Sequence, residues 1–351
     1  MHPVFTPVTL RTMTVKNRIA RSATHDYVGN ETGYVSDLQA DIWEELAQND
    51  LGLFITGHLY VDVLGQASAS QNALDHDRYI PALASAVKRV QRHGCKVVAQ
   101  LSHAGAKATP EVPLAPSAIT LEPGAPARAM TREEIGRVVA AFAAAAGRAQ
   151  AAGCDGVQIH CAHLYLLSQF ITPCCNHRSD EYGGSRENRF RIVEEVLAAV
   201  RARCGEDYPV FVKINSNAPE GDEEYAADLP YMMERFAAWK VEAVEFSGCD
   251  FYQRKGQHNY YLERAAQLRK AADQPVMLVG GVRTLEDMAA VLDRGIEMVS
   301  LCRPFIRQAD LIPRLRAGEG AACVSCGQCS SKGSKPGQAR CIFNRKVPGA
   351  I

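Results

Sequence analysis

The stretch TREEIGRVVAAFAAAAGRAQAAGCDGVQIH, residues 131–160, joins a helical pattern to a strand pattern, and this unit recurs along the chain. Thr131 and Glu134 have the spacing of a capping box, which marks the start of a helix. The apolar run from Gly156 to His160 is typical of a short buried strand. The segment therefore predicts a helix that leads into a strand ending at His160.

Eight apolar runs of this kind alternate with segments of helical spacing. They are Ile19 to Ser22, Gly52 to Gly57, Lys96 to Leu101, Gly156 to His160, Pro209 to Ile214, Ala243 to Gly248, Pro275 to Gly280 and Met298 to Arg303. Apolar strands that alternate with helices indicate a parallel sheet covered by helices, and eight units favour a closed (β/α)8 TIM barrel over an open sheet. The fold class is therefore α/β. The first predicted strand is not followed by a G-x-G-x-x-G motif, which argues against a dinucleotide-binding domain at the start of the chain.

The domain organisation follows from the absence of a low-complexity linker inside the chain. We expect one barrel domain over residues 1–317 and a short cysteine-containing extension over residues 318–351. Before the first strand, the segments TLRT and TVKN predict a small hairpin that plugs the floor of the barrel.

Composition limits the class of partner. Lys plus Arg and Asp plus Glu number 39 each, so the formal net charge is zero and gives no global reason to expect nucleic acid or an anionic membrane. No stretch approaches the ~18 apolar residues of a membrane span, and the N-terminus has no apolar signal region. We expect a cytoplasmic protein, a homo-oligomer, with a small-molecule substrate. Its twelve cysteines are expected to be reduced thiols or metal ligands.

Polar residues follow the predicted strands at their C-terminal ends, where TIM barrels place their reactive groups. A single strand-end histidine is usually structural, but eight convergent strand ends predict a site. These residues are Ala23, Thr24, His25 and Tyr27, Gly57 and His58, Gln100, His160, Lys213, Gly248, Gly280 and Gly281, and Cys302 and Arg303.

The last strand ends favour a phosphate site. Loops after the seventh and eighth strands often bind an anion in these barrels, Gly280 and Gly281 permit a close backbone approach, and Arg303 adds a cation. Lys213, in mid-barrel, predicts an anionic partner because a buried ammonium is unfavourable alone. A phosphate-bearing cofactor with an anionic ring would satisfy both.

The central segment GVQIHCAHLYLLSQFITPCCNHRSDEYGGSRENR, residues 156–189, resembles the signature of the Old Yellow Enzyme family of FMN-dependent ene-reductases. KNRIARSATHDY, VVAQLSHAG, VFVKINS, LVGGV and SLCRPFI follow that family's order, so the resemblance covers nearly the whole chain. It implies a barrel with FMN across its C-terminal mouth and NAD(P)H as the reductant.

The resemblance also implies which residues bind the cofactor. Gln100 would bind the pyrimidine edge of the flavin, and Lys213 would stand near flavin N1 and O2, where the family has arginine or lysine. The ring would be lined by Ala23, Thr24, Gly57 and His58, and the phosphate would be held by Gly280, Gly281, Cys302 and Arg303. His25, at a position that holds threonine or cysteine in many relatives, and Gly248 complete the predicted cofactor site.

His160, His163 and Tyr165 are the predicted catalytic residues. Both histidines would donate to one substrate carbonyl oxygen, so that a hydride from flavin N5 adds at the β-carbon of a conjugated C=C bond. The phenol of Tyr165 would deliver a proton to the α-carbon, and Tyr27 would add a hydrogen bond to the substrate oxygen. His160 and His163 with Cys161 could instead form half a zinc site, although no carboxylate ligand follows.

The four late cysteines Cys323, Cys326, Cys329 and Cys341 have C-x2-C-x2-C-x11-C spacing, which suits a [4Fe–4S] cluster or a zinc ion. The segment resembles the cluster segment of the 2,4-dienoyl-CoA reductase and trimethylamine dehydrogenase branch. There a cluster relays electrons between FMN and a downstream nucleotide-binding module, which we expect to be absent here. Three hypotheses stay open: a cluster fed by a separate redox partner protein, a structural zinc, or a cysteine loop without metal.

The favoured function is an NAD(P)H-dependent flavin oxidoreductase of activated alkenes such as enones, enoates or dienoyl thioesters. The first alternative is an amine dehydrogenase or demethylase of the trimethylamine type, but such sites favour an aromatic bowl and the chain has only two tryptophans. The others are an electron-transfer subunit of a larger complex and a non-redox phosphate-binding barrel such as an aldolase.

Overall fold

Eight parallel strands close into a barrel in the computed structural model, which describes residues 2–25, 31–121, 124–219 and 221–329 with Cys341 and Phe343. In chain order the barrel strands are Ile19–Arg21, Leu53–Ile55, Lys96–Ser102, Gly156–Cys161, Val210–Asn215, Val244–Ser247, Val276–Val279 and Met298–Leu301. The first strand pairs with both the second and the eighth, which closes the ring. This confirms the predicted TIM barrel, and each strand overlaps its predicted run with ends that differ by at most two residues.

Helices follow the strands and cover the barrel. Their bounds are Asp37–Gln48, Ile80–Gln91, Arg132–Ala151, Leu166–Ile171, Arg186–Cys204, Glu223–Ala238, Leu262–Ala271, Leu285–Asp293, Arg303–Arg307 and Leu311–Arg316. The capping box predicted at Thr131 and Glu134 is present. Within the described residues, none of these helices combines the length and the apolar character needed to cross a bilayer.

Several short elements complete the described chain. The 3-10 turns are Pro3–Phe5, Val63–Gly65, Asp77–Tyr79, Gly105–Lys107 and Pro173–Cys175, and the short strands outside the barrel are Val8–Thr9, Thr14–Val15, Leu59–Tyr60, Leu114–Ala115 and Arg128–Ala129. Residues 317–329 contain neither helix nor strand. The division at residue 317 stays a prediction.

The hairpin formed by Val8–Thr9 and Thr14–Val15 closes the floor of the barrel, as predicted. Met13 and Val15 belong to one buried apolar cluster with inward residues of the barrel strands, among them Phe211 and Met298. Because this apolar plug fills the N-terminal end, the polar side chains of the strands can meet only at the other end.

Glu242, just before the sixth barrel strand, fastens the hairpin to the barrel. Its carboxylate accepts hydrogen bonds from the backbone N–H of Thr12 at 2.7 Å, the hydroxyl of Thr12 at 2.8 Å and the backbone N–H of Met13 at 2.6 Å. The side chain is almost fully buried, so these three donors satisfy a carboxylate that water does not reach.

Replacing Glu242 with alanine should lower the free energy of unfolding by about 3 kcal/mol, because two backbone N–H groups lose their acceptor and one of them is buried. Urea denaturation measures the change. Thr9→Ala removes only an exposed hydroxyl contact of the same hairpin and should change stability by less than about 0.5 kcal/mol. Equal losses in the two variants would show that Glu242 does not anchor the hairpin.

Candidate active site

A cavity of about 570 Å³ lies at the C-terminal ends of the barrel strands, which is a volume typical of a site for a small molecule or cofactor. Most of the predicted cofactor-binding and catalytic residues line it. They are Ala23, Thr24, His25, His58, Gln100, His160, His163, Tyr165, Lys213, Cys302 and Arg303.

Four predicted glycines and one tyrosine do not join this group. Gly57, Gly248, Gly280 and Gly281 are not among the lining residues, and Tyr27 lies outside the described residues. Gly280 and Gly281 have φ of 144° and 77°, and a Cβ at Gly280 would come within 2.8 Å of the Tyr261 ring. A Cβ at Gly281 would meet the backbone of residues 257–259. These two glycines therefore make room for the chain's own loop, a reason that the sequence did not suggest.

His160, His163 and Tyr165 converge on one side of the cavity. The ring centroids of His160 and His163 are 5.2 Å apart, and the Tyr165 ring stands 5.0 Å from His160 at nearly a right angle. Tyr165 immediately precedes the helix Leu166–Ile171, so its backbone is held at the start of a buried helix. Three groups able to donate a hydrogen bond thus face a common space.

The loop that carries these residues is held in an uncommon backbone conformation. His163 and Leu164 have φ of 59° and 54°, in the left-handed region that non-glycine residues rarely adopt. The N–H of His163 donates to the Asn215 side chain at 3.2 Å, and that of Leu164 donates to the Ser168 hydroxyl at 3.3 Å. Strain of this kind costs on the order of 1–3 kcal/mol per residue and persists only where contacts enforce it.

His160 and His163 are neutral at neutral pH. Burial lowers the pKa of His160 well below its ordinary value, and electrostatic interactions with neighbouring His163, Lys213 and Lys107 lower it further. Burial likewise lowers the pKa of His163, followed by the charges of the two lysines. A neutral imidazole keeps one N–H, and the buried Nδ1 of His160 has no hydrogen-bond partner in the described chain. Nε2 of His163 lies 2.8 Å from the hydroxyl of Ser247.

His58 lies between His25 and Tyr165, with ring centroids 5.0 Å and 5.5 Å away. The side-chain amide of Gln71 forms a hydrogen bond with this ring, since its Nε2 lies 2.7 Å from His58 Nδ1. The Oε1 of the same amide accepts from the backbone N–H of Ala67 at 2.6 Å. Burial is the main cause that lowers the pKa of His58 well below its ordinary value. The ring is therefore another neutral imidazole in the cavity wall.

Lys213 already has an anionic partner in the chain. Its ammonium pairs with the carboxylate of Glu245 at 3.1 Å and donates to the hydroxyl of Ser22 at 2.7 Å. Gln158 donates to the same carboxylate at 3.0 Å, and Gln100 donates to Gln158 at 2.7 Å. Glu245 therefore supplies the anionic partner that the burial of Lys213 predicts, so this burial alone does not indicate an anionic cofactor.

The sequence contains a signal for Glu245, although this residue does not lie at the end of a strand. Lys213 and Glu245 are paired positions on the adjacent fifth and sixth strands, each in the middle of an apolar run. A lysine and a glutamate at matching depth in neighbouring parallel strands are within reach of one another.

Arg303 keeps an unsatisfied donor at the cavity. Its Nη1 is buried without a partner, its Nη2 is 3.4 Å from the hydroxyl of Tyr260, and no described carboxylate lies within 4.0 Å of it. Next to it, the hydroxyl of Thr24 donates to the backbone carbonyl of Ser22 at 2.8 Å and lies 3.1 Å from the thiol of Cys302. A guanidinium with an orphaned N–H fits a phosphate group, which accepts such donors strongly.

Sequence reasoning missed several residues of the cavity wall. Lys107 comes from the 3-10 turn after the third strand, and Cys249, Phe251 and Tyr252 come from the loop after the sixth. Their position after a strand was the available signal, but the loops that bear them have no motif.

The four late cysteines surround a second, small cavity of about 20 Å³, and Cys329 lines both this cavity and the larger one. All twelve cysteines are free thiols. Burial, with the neighbouring Cys302 and Cys323, raises the pKa of Cys329 to about 12. Among the described residues, no three His, Cys, Asp or Glu side chains are arranged to hold a metal ion, whether at this cavity or around His160, His163 and Cys161.

Comparison with known proteins decides the family. The model of the NADH:flavin oxidoreductase / NADH oxidase family matches residues 3–320. The chain belongs to this family. Membership confirms the resemblance to Old Yellow Enzymes and the expected enzyme class, an NAD(P)H-dependent flavin oxidoreductase.

Individual relatives agree with this assignment. An NADPH dehydrogenase of Bacillus subtilis is 36% identical over 318 residues, covering 87% of this chain and 91% of the relative. The structure of an Old Yellow Enzyme homologue from Zymomonas mobilis has a TM-score of 0.78 at 26% identity, covering 90% of this chain and 92% of that one. A complex of 2-naphthoyl-CoA reductase with 2-naphthoyl-CoA has a TM-score of 0.85 at 25% identity, covering 94% of this chain and 54% of that one.

The chain spans about half the length of some relatives that it matches. It covers 51% of two curated relatives and 54% of the 2-naphthoyl-CoA reductase chain. The activities and partners of those longer proteins therefore enter only as proposals.

Proposed function

We propose that this flavin oxidoreductase reduces the activated C=C bond of α,β-unsaturated carbonyl compounds, with NAD(P)H as the reductant. The observation that carries the proposal is the convergence of His160, His163 and Tyr165 on one side of the cavity, with an unpartnered nitrogen on His160. These groups suit a substrate that needs two donors at one oxygen and a proton nearby.

The residues of the cavity fit FMN. The orphaned guanidinium of Arg303 would hold the phosphate, and Gln100 and Lys213 would bind the edge of the ring system. Lys213 uses two of its three N–H donors on Glu245 and Ser22, which leaves one for the cofactor. When bound, FMN supplies the hydride for the reduction of the C=C bond.

The two histidines orient and polarise the substrate carbonyl. Because both are neutral and largely buried, each offers an N–H donor without placing a full charge beside the substrate. A donor in a water-poor site stabilises a developing oxyanion by several kcal/mol more than the same donor in water. Contacts to Asn215 and Ser247 keep His163 in place for this task.

Tyr165 is the proposed proton donor. Its ring packs edge-on against His160, and its position at the start of a helix fixes the direction of the side chain. A phenol with an ordinary pKa of about 10 is protonated at neutral pH and can deliver its proton to the α-carbon.

The competing enzyme function, oxidation of a methylated amine, has less support. A cationic amine is bound best by the faces of several aromatic rings, above all tryptophan, and none of the described lining residues is a tryptophan. The rings of Tyr165, Phe251 and Tyr252 do line the cavity, but Lys107, Lys213 and Arg303 line it too, and these cations disfavour a cationic substrate. The likeness to a complex with 2-naphthoyl-CoA keeps thioesters of unsaturated acids among the proposed substrates.

The cysteine segment is a second part of the proposal. The four thiols surround one small cavity and Cys329 also lines the main cavity, so the cluster, zinc and metal-free hypotheses all stay open. Their spacing suits [4Fe–4S] or zinc, but the described thiols are not arranged as a metal site and no catalytic step is assigned to them. Of the three hypotheses, only the one with an iron–sulfur cluster calls for a separate redox partner protein.

The cofactor proposal predicts that denaturation releases FMN, not FAD, in a near-stoichiometric amount, since the inferred site ends at a phosphate. Lys213→Met with Glu245→Gln removes both charges of the buried pair, so folding is preserved while the cation is lost. This double variant should bind FMN more weakly and have a lower flavin reduction potential, measured by anaerobic titration. Lys88→Met, on an exposed helix face, is the control. Stoichiometric FAD would contradict the assignment.

The catalytic proposal predicts different defects for the tyrosine and the histidines. Tyr165→Phe keeps the ring but deletes the proton, so alkene reduction should slow by about 10²- to 10⁴-fold while flavin reduction by NAD(P)H stays near wild type. Stopped-flow kinetics of the two half-reactions separates these effects. A wild-type rate of enone reduction, with chemistry limiting, would show that the proton comes from elsewhere.

His160→Ala and His163→Ala should weaken a phenolic inhibitor by about 1 to 3 kcal/mol each, because a donor to its oxygen is lost. Tyr165→Phe is the matched control and should bind the phenol normally. The perturbation of the flavin absorption spectrum on titration with phenol gives the dissociation constants.

The three cysteine hypotheses predict different metal contents, and the cluster hypothesis predicts iron and labile sulfide in protein purified anaerobically. Zinc without iron would identify a structural metal. If metal analysis finds neither, and Cys326→Ser leaves stability unchanged, the segment is a cysteine loop without metal.

A further inference from the structure

Lys107 holds a fixed position at the rim of the histidine pair. It ends the 3-10 turn Gly105–Lys107, and the side chain of Gln169 accepts from the backbone N–H of Ala106 at 3.1 Å. The ammonium of Lys107 donates to the backbone carbonyl of His163 at 2.9 Å, and the side chain lines the main cavity. One of its three donors is used, and two remain.

No described carboxylate neutralises this ammonium. Lys107 is half-buried, and within the described residues no Asp or Glu oxygen lies within 4.0 Å of it. The buried Lys213, by contrast, pairs with Glu245 at 3.1 Å, and the buried Arg189 pairs with Asp228 at 2.6 Å. Of the described residues that line the cavity, none is acidic.

The thiols beside Lys107 do not supply the missing charge. Burial raises the pKa of Cys249 to about 11, and burial also raises the pKa of Cys175 far above its ordinary value. Both are therefore neutral thiols at neutral pH. Burial in turn lowers the pKa of Lys107, the direction expected for a cation that lacks a counter-ion.

The three cations of the cavity wall, Lys107, Lys213 and Arg303, differ in the anionic partners available to them. Glu245 compensates Lys213, and Arg303 has the orphaned donor that fits a cofactor phosphate. Lys107 instead donates to the backbone carbonyl of His163, whose imidazole is proposed to hold the substrate carbonyl. An unpaired, half-buried ammonium is unfavourable, so we expect an anionic group of the substrate to accept hydrogen bonds from the free donors of Lys107.

We propose that Lys107 binds a carboxylate of the substrate, so that the preferred substrates are unsaturated carbonyl compounds that carry a carboxylate group. This inference rests on the proposed function, because it assumes that His160 and His163 hold the substrate carbonyl. Lys107 is then a specificity-determining residue, which selects anionic substrates from neutral enones of similar shape. A phosphate of NAD(P)H is the other anion that could reach the same cation, and the test separates the two.

The probes are phenol, the 2-, 3- and 4-hydroxybenzoates and the corresponding uncharged hydroxybenzamides, titrated into the FMN-loaded enzyme while the flavin spectrum is recorded. At least one hydroxybenzoate should bind wild type about 10- to 100-fold more tightly than its amide, the effect of one charge-assisted hydrogen bond. Lys107→Met, which keeps the aliphatic stem, should abolish that preference. Lys107→Arg should retain it within a few fold, and Lys88→Met should leave it unchanged.

The inference is overturned if hydroxybenzoates bind wild type no more tightly than their amides, or if Lys107→Met weakens phenol, amides and carboxylates alike. It is also overturned if Lys107→Met leaves every benzoate unchanged but raises the dissociation constant of NAD(P)H, because the anion is then a phosphate of the dinucleotide. Phenol binding to wild type tests the underlying function separately: a phenol that does not perturb the flavin overturns the proposed site itself.

Discussion

The ion pair between Lys213 and Glu245 constrains the interior of the barrel more than any other contact at the site. Both side chains are buried, and either charge alone would be strongly unfavourable there. Because the two residues occupy paired positions on neighbouring strands, the pair forms only in one register of those strands. Gln158 and Gln100 extend the contact to the fourth and third strands, and Ser22 extends it to the end of the first, so one polar layer crosses the barrel beneath the cavity.

The sequence predicted the barrel and about half of the residues that line the cavity, because both depend on local patterns. Apolar runs such as Gly156 to His160 specify strands, and residues at the strand ends then converge by topology alone. Contacts between loops from different strands could not be predicted in this way. Lys107 and His163 are far apart in the chain, and only the folded structure shows that they share a hydrogen bond.

The glycines after the seventh strand illustrate a different limit. Gly280 and Gly281 fitted a phosphate-binding loop, yet the nearest atoms to a side chain there belong to the loop around Tyr261. A pair of glycines serves equally well for close packing and for the approach of a ligand, because both need the absence of a Cβ. Glycines at a turn therefore show that a Cβ has no room, but they do not show whether the neighbouring atoms belong to the chain or to a ligand. The unpartnered guanidinium N–H of Arg303, by contrast, does indicate a ligand.

The contact between Gln71 and His58 determines a tautomer. Because the amide oxygen of Gln71 accepts from the backbone N–H of Ala67, its NH₂ group must be the one directed at His58 Nδ1. Nδ1 then carries a lone pair, and the proton of this neutral ring resides on Nε2. The backbone amide of Ala67, which lies outside the strands, thereby decides which nitrogen of the His58 ring can donate a hydrogen bond. A Gln71→Glu exchange would place an acceptor opposite Nδ1 and so reverse the direction of this hydrogen bond without altering the size of the side chain.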